Sequence, residues 1–131
     1  MSARDIWIAP DHYLVIEKLS EARQLVRGGW CQGQAHALVA GLDCYCPMGA
    51  VSEVCGTVRL SHPTIVGHRY TAGQIVPGAW IRDAVSAALL AAVPRPWITV
   101  PGYNDHFRRT QDEAVQLFTA AIDIVARRAA A

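Results

Sequence analysis

Apolar residues along this chain recur mostly at the three- and four-residue steps of a helix. The first such stretch runs from about His12 to Arg27, with Val15, Leu19, Ala22 and Val26 on one stripe. Glu17, Lys18, Glu21, Arg23, Gln24 and Arg27 lie mostly on the other face, as a helix with one buried side requires. Asp11 suits its N-cap and Gly28-Gly29 its stop. A second stretch, from about Gln111 to Arg128, places Ala114, Leu117, Phe118, Ala121 and Val125 on its buried stripe. Thr110 and Glu113 have capping-box spacing there. Asp112 and Glu113 sit at the positive end of the dipole and Arg127 and Arg128 at the negative end.

A third helix is expected over Gly78 to Ala92, with Trp80, Ala84, Ala88 and Ala92 along one side. Its small residues would let another helix approach closely, and Pro94 and Pro96 end it. A short helix is expected around Pro47 to Cys55, because Pro47 suits a first helical position and Gly56 an end. The stretch from Thr57 to Pro77, interrupted by His62-Pro63, Gly67 and Gly73, is compatible with strand, hairpin or ordered loop. From Pro94 to His106 the prolines predict extended chain. The fold expected is therefore mainly α: a compact single-domain bundle of about four helices with an irregular or short-β segment in the middle. The domain spans 1–131, with an ordered core over about 11–128.

Composition supports a folded chain. Of 131 residues, 52% are hydrophobic and 18% charged, which a disordered segment would reverse. The longest apolar run, Ala84 to Val93, holds Ser86 and stops at Pro94, well short of the ~20 residues of a membrane span. The first ten residues carry Arg4 and Asp5 but no apolar core of signal-peptide length. A cytoplasmic protein without a membrane anchor is the expectation. A net charge of +1 gives no field toward nucleic acid, and Arg108-Arg109 and Arg127-Arg128 are too few for a binding stripe.

Three short segments stand out: Gly29-Trp30-Cys31-Gln32-Gly33, Cys46-Pro47-Met48-Gly49-Ala50, and Tyr103-Asn104-Asp105 leading through Arg109-Thr110 into the last helix. In this order the set resembles an uncharacterised family of small bacterial and phage proteins. Its members carry Gly-Trp-Cys-Gln-Gly-like, Cys-x-x-Gly-Ala and Trp-Asn-Asp segments, the last followed by Arg-Thr-x-x-Glu. The resemblance spans roughly Leu14 to Ile122; Tyr103 stands where the family usually has Trp, and Cys44 and Cys55 have no counterpart. It implies a fold class and no activity.

Each segment has a structural and a functional reading. Asn104 and Asp105 would bond nearby backbone in a turn, with Asp105 also pairing Arg108 or Arg109; alternatively Asp105 is a general base or ligand contact and Asn104 a donor. Trp30 would fold onto the core or, with Gln32, Tyr103, Asn104 and Asp105, line a binding site. Cys31 or Cys46 would serve as a thiol nucleophile with His36 or His106 as base, oriented by Asp105 or Asn104. Cys46 is favoured because a helix N-terminus stabilises a thiolate. Cys31, His36, Cys44, Cys46 and Cys55 also supply enough soft ligands for zinc, though without a paired C-x2-C knuckle. No cofactor is expected, and phosphate-loop, His-Glu-x-x-His and Gly-x-Ser-x-Gly templates are missing. The three segments each abut a helix end and are expected to converge on one side. The leading expectation is a small binding protein, phage or mobile-element encoded, with a protein partner. A homo-oligomer through the Ala-rich third helix is a further expectation, and a thiol-dependent enzyme and a structural zinc domain are the rivals.

Overall fold

The computed structural model describes residues 12–59, 64–66, 68–70 and 75–130. The Asp11 N-cap lies outside them. Helix α1 (His12–Gly28) buries the stripe expected of it, with Leu19, Ala22 and Val26 fully inaccessible. It packs along the last helix, α5 (Gln111–Ala130), which contributes Ala114, Leu117, Phe118 and Ala121. Burial of each such large side chain is worth roughly 1.5–3 kcal/mol, so these two helices form the main part of the core.

The start of α5 is fastened at both ends of its cap. The Thr110 amide donates to Glu113 Oε1 at 3.0 Å and the Glu113 amide to Thr110 Oγ1 at 3.2 Å, the reciprocal capping box. Next to it, Gln111 Nε2 donates to the carbonyls of Val26 at 2.9 Å and Arg27 at 3.1 Å. It thereby caps the C-terminus of α1, whose last carbonyls have no partner within the helix.

Helix α2 (Pro47–Val54) and helix α3 (Ala79–Ala92) close the other side of the core. Pro47 occupies the first turn of α2, and Cys46 is its N-cap, accepting the Gly49 amide on Sγ at 3.3 Å. Gly49 is required by close approach, since a Cβ there would lie 1.8 Å from Ala35 O. On α3, Trp80, Ile81, Val85, Ala88 and Leu89 face the core, which leaves Ala84 and Ala92 only half-buried.

The extended chain expected from Pro94 to His106 is broken by a fifth helix, α4 (Val100–Asn104). Proline does not prevent it because Pro101 lies in the first turn, where its missing N–H is not needed. Thr99 caps the turn by accepting the Gly102 amide at 3.0 Å.

A hairpin of β1 (His36–Val39) and β2 (Leu42–Tyr45) joins α1 to α2, in a register that pairs Val39 with Leu42. Its two-residue turn, Ala40-Gly41, has φ of 51° and 78°, the left-handed pair that matches strand twist. Beyond α2, strand β3 (Thr57–Arg59) pairs antiparallel with β6 (Ile75–Pro77), and β4 (Thr64–Val66) with β5 (His68–Tyr70). Of the three possibilities for this stretch, paired short strands are the one realised. No helix among the described residues is long and apolar enough to cross a membrane.

Candidate functional site

The three motif segments come together, and Asn104 is their centre. As the last residue of α4 it is 1% exposed. Its Oδ1 accepts the Trp30 indole N–H at 2.7 Å. Its Nδ2 donates to Cys31 O and to Asp105 Oδ1, both at 3.1 Å. Three of the four bonds this amide can make are thus used. Gln32 reinforces the contact, with Nε2 donating to the carbonyls of Asn104 and His106, each at 2.8 Å. Asp105 Oδ1 also accepts the Gly33 amide at 2.9 Å. The loop after α1 is therefore laced to the end of α4.

The second motif enters the same block through the backbone. Trp30 pairs in parallel with Tyr45. The Tyr45 amide donates to Gly29 O at 2.9 Å and the Cys31 amide to Tyr45 O at 3.2 Å. The Cys46 amide then donates to Ala35 O at 3.1 Å, which brings the N-terminus of α2 beside the loop.

The expected pairing of Asp105 with Arg108 or Arg109 is not formed. Asp105 is taken by Asn104 and Gly33, while Arg109 Nη1 bonds Glu113 Oε2 at 3.0 Å and its Nε bonds Tyr103 O at 2.7 Å. Arg109 also stacks on the buried Tyr103 ring, 3.6 Å from the centroid, and lies 5.6 Å from the Trp97 centroid. From Trp97 a row of rings continues to His106 at 5.0 Å and Phe107 at 4.7 Å, with Arg108 5.3 Å over Phe107. The row leads from a buried ring to one that is 80% exposed.

The thiols occupy three environments. Cys31 is half-exposed, with Sγ 3.4 Å from Gln34 O and 3.6 Å from Cys44 O, acceptors for its S–H. Burial, then the neighbouring Cys46 and Cys44 sulfurs, push its pKa up, and the Cys46 amide only partly offsets this. Cys44 is buried. Cys55 is buried in the core, which pushes its thiol up to about 11.

His36 is not beside these sulfurs. Its Nε2 bonds Asp43 Oδ1 at 2.8 Å and its ring packs 5.0 Å from Tyr45. His36 pairs with Tyr45 in the ladder, and alternate residues of a strand point to opposite faces, so Cys44 and Cys46 face away from it. His106 Nδ1 accepts the Arg108 amide at 3.3 Å. Among the described residues neither ring bonds a cysteine, and no three His, Cys, Asp or Glu groups could hold a metal ion.

Next to the laced loops lies an apolar cleft of about 230 Å³, lined by Met48, Ser86, Ala87, Leu90, Val100 and Pro101. Met48 belongs to the second motif, and Val100 and Pro101 lead into the third. Leu90 is 50% exposed and Ile98, which precedes the α4 cap, 84%. Periodicity points to neither Leu90 nor Ile98: Leu90 is one more apolar residue in an Ala-rich helix, and Ile98 lies between prolines.

These features define a small, mainly helical domain in which three loop motifs are hydrogen-bonded into one block beside an apolar cleft. The chain belongs to a family of unknown function, DUF6197, which it matches over residues 11–124. No curated protein and no solved structure matches it.

Proposed function

We propose that this chain is a binding module that acts through a protein partner, seated on the cleft between α2, α3 and α4. One observation carries the reading. The polar side chains of the motifs are used on one another and on nearby backbone, while the half-exposed Leu90 lines a concave apolar surface and the exposed Ile98 lies two residues before its Val100 wall. A site built for chemistry keeps polar groups free for its substrate; a docking site holds a fixed apolar hollow with exposed anchors at its rim. The motifs then act as the frame. They hold α2 and α4, two walls of the cleft, against the loop after α1.

The chemistry of the partner follows from the lining, which is apolar apart from Ser86. An apolar segment of a partner protein fits this surface. The bacterial and mobile-element setting implied by the motif set belongs to the same reading.

The test places a photo-crosslinking residue at Ile98, with a control at the exposed Ala120 on α5, in the source cell. The expected result is one defined adduct from position 98 that is missing from position 120 and lost on Leu90→Arg. The captured chain, once purified, should bind the wild-type protein and not Leu90→Arg. Equal labelling from both positions overturns the reading, and an adduct only with a second copy overturns the separate partner. The rival, a thiol enzyme, requires substrate turnover that Cys46→Ser or Cys31→Ser abolishes.

A further inference from the structure

The parallel pairing that joins the first two motifs also sets their cysteines in register. Trp30 pairs with Tyr45, so Gly29 stands opposite Cys44 and Cys31 opposite Cys46. The first of these pairs is visible in the packing, since a Cβ on Gly29 would lie 3.1 Å from Cys44 Sγ. Paired strands run about 4.7–4.9 Å apart, within the Cα separation of about 4.4–6.8 Å that a disulfide spans. Residues that are neighbours across paired strands point to the same face, so the side chains of Cys31 and Cys46 leave on one side, opposite to Trp30 and Tyr45. Cys44, on that face too, is only diagonal to Cys31. It is also buried, whereas Cys31 and Cys46 are both half-exposed.

We propose that Cys31 and Cys46 form an oxidation site, a dithiol that a hydroperoxide closes into an intramolecular disulfide. Cys46 reacts first, because its sulfur already accepts the Gly49 amide at 3.3 Å, the polarity that supports a thiolate. Its thiolate attacks the distal peroxide oxygen. The O–O bond breaks, the alkoxide takes up a proton, and Cys46 becomes a sulfenic acid. Cys31 then attacks the sulfenyl sulfur; the S–S bond forms, the S–O bond breaks, and hydroxide leaves with the Cys31 proton as water. Two thiols and one hydroperoxide give one disulfide, one alcohol and one water. The raised pKa of Cys31 suits the second role, in which it waits as a thiol until its partner is activated. The link closes the loop that carries the β1–β2 hairpin and braces the first motif to the second.

The experiment uses the reduced full chain with one equivalent of hydrogen peroxide, in native buffer. The expected product is monomeric, two hydrogens lighter, and has lost two of its four thiols. Chymotrypsin cuts after Tyr45 and so separates Cys44 from Cys46, and the linked peptides should join Cys31 to Cys46. Cys44→Ser should leave the link intact, and Cys31→Ser and Cys46→Ser should each abolish it. Cys46→Ser keeps the α2 cap, since a serine hydroxyl accepts the Gly49 amide as well as the thiol does. Loss of the link there is therefore not loss of the fold, and far-ultraviolet circular dichroism checks this. A Cys31–Cys44 product, a link that forms equally well in denaturant, or intermolecular dimers alone would overturn the proposal.

Discussion

Asn104 concentrates more of the structure than any other polar residue described, because its amide satisfies groups on a loop over seventy positions away. A buried donor or acceptor left unpaired costs about 1–3 kcal/mol. Asn104→Ala strands both the Trp30 indole N–H and the Cys31 carbonyl, so a loss of roughly 2–4 kcal/mol in unfolding free energy is expected by denaturant titration. Trp30→Phe alone should cost less. A double-mutant cycle of the two should show a coupling of about 1–2 kcal/mol, and additive losses would show that the 2.7 Å bond is incidental. Asn104→Asp is a sharper variant. It keeps the shape but turns the donor to Cys31 O into an acceptor and sets a second carboxylate beside Asp105, so its defect should shrink as pH falls and the carboxylates protonate.

Among the elements, the start of α5 makes a prediction with a definite sign. The Thr110 amide, ahead of the Thr110 hydroxyl and Arg109, holds the Glu113 carboxyl below its ordinary 4.5. The folded protein favours the charged form, so this stability is present at neutral pH and lost as pH falls through the folded pKa. Glu113→Gln should flatten the acid limb of a stability–pH profile below about pH 4.5, while its amide oxygen still accepts from Thr110. At α2, Gly49→Ala should cost about 3 kcal/mol, since the new methyl meets the Ala35 carbonyl and the backbone must yield. The capped helices were legible because periodicity and caps are local signals: Thr110 and Glu113 are three residues apart. The hairpin was not, because Ala40 occupies a left-handed turn position without the Asn or Asp that announces one. Helix α4 was hidden by Pro101, a breaker by type whose place in a first turn removes the penalty. Which residues meet at the site was not legible either. The bonds of Gln32, Gly33 and Trp30 to Asn104, Asp105 and His106 span 72–74 positions. What the sequence did carry was that three irregular segments each adjoin a helix end, and the fold gathers those ends.

At the scale of the whole molecule, the laced loops and the α1–α5 core are joined but distinct. The α1–α5 contact is mainly apolar, with buried residues from Leu14 to Val26 and from Ala114 to Val125 and polar bonds from Gln111 to Val26 O and from Arg23 to Thr119. The Asn104 bonds reach instead to residues 30–31 and 105. Breaking the lacing should therefore open one region before the rest, as cooperative units of unequal stability do. Hydrogen exchange on Asn104→Ala is expected to lose protection at the amides of Cys31, Gly33 and Asp105 and through α4, while α1 and α5 keep protection set by global unfolding. Surface variants should behave in the opposite way. Leu90→Arg and Ile98→Asp alter exposed positions and should change stability by no more than about 0.5 kcal/mol, with a wild-type exchange pattern, yet abolish capture of the partner from position 98. Asn104→Ala, with α4 loosened, should weaken capture only in proportion to the fraction of molecules in which α4 is open, because a partner that binds the closed form pulls the equilibrium back. Uniform loss of protection along the Asn104→Ala chain would mean that lacing and core unfold as one. Loss of capture without any loss of protection would place Asn104 itself in the binding surface rather than in the frame behind it.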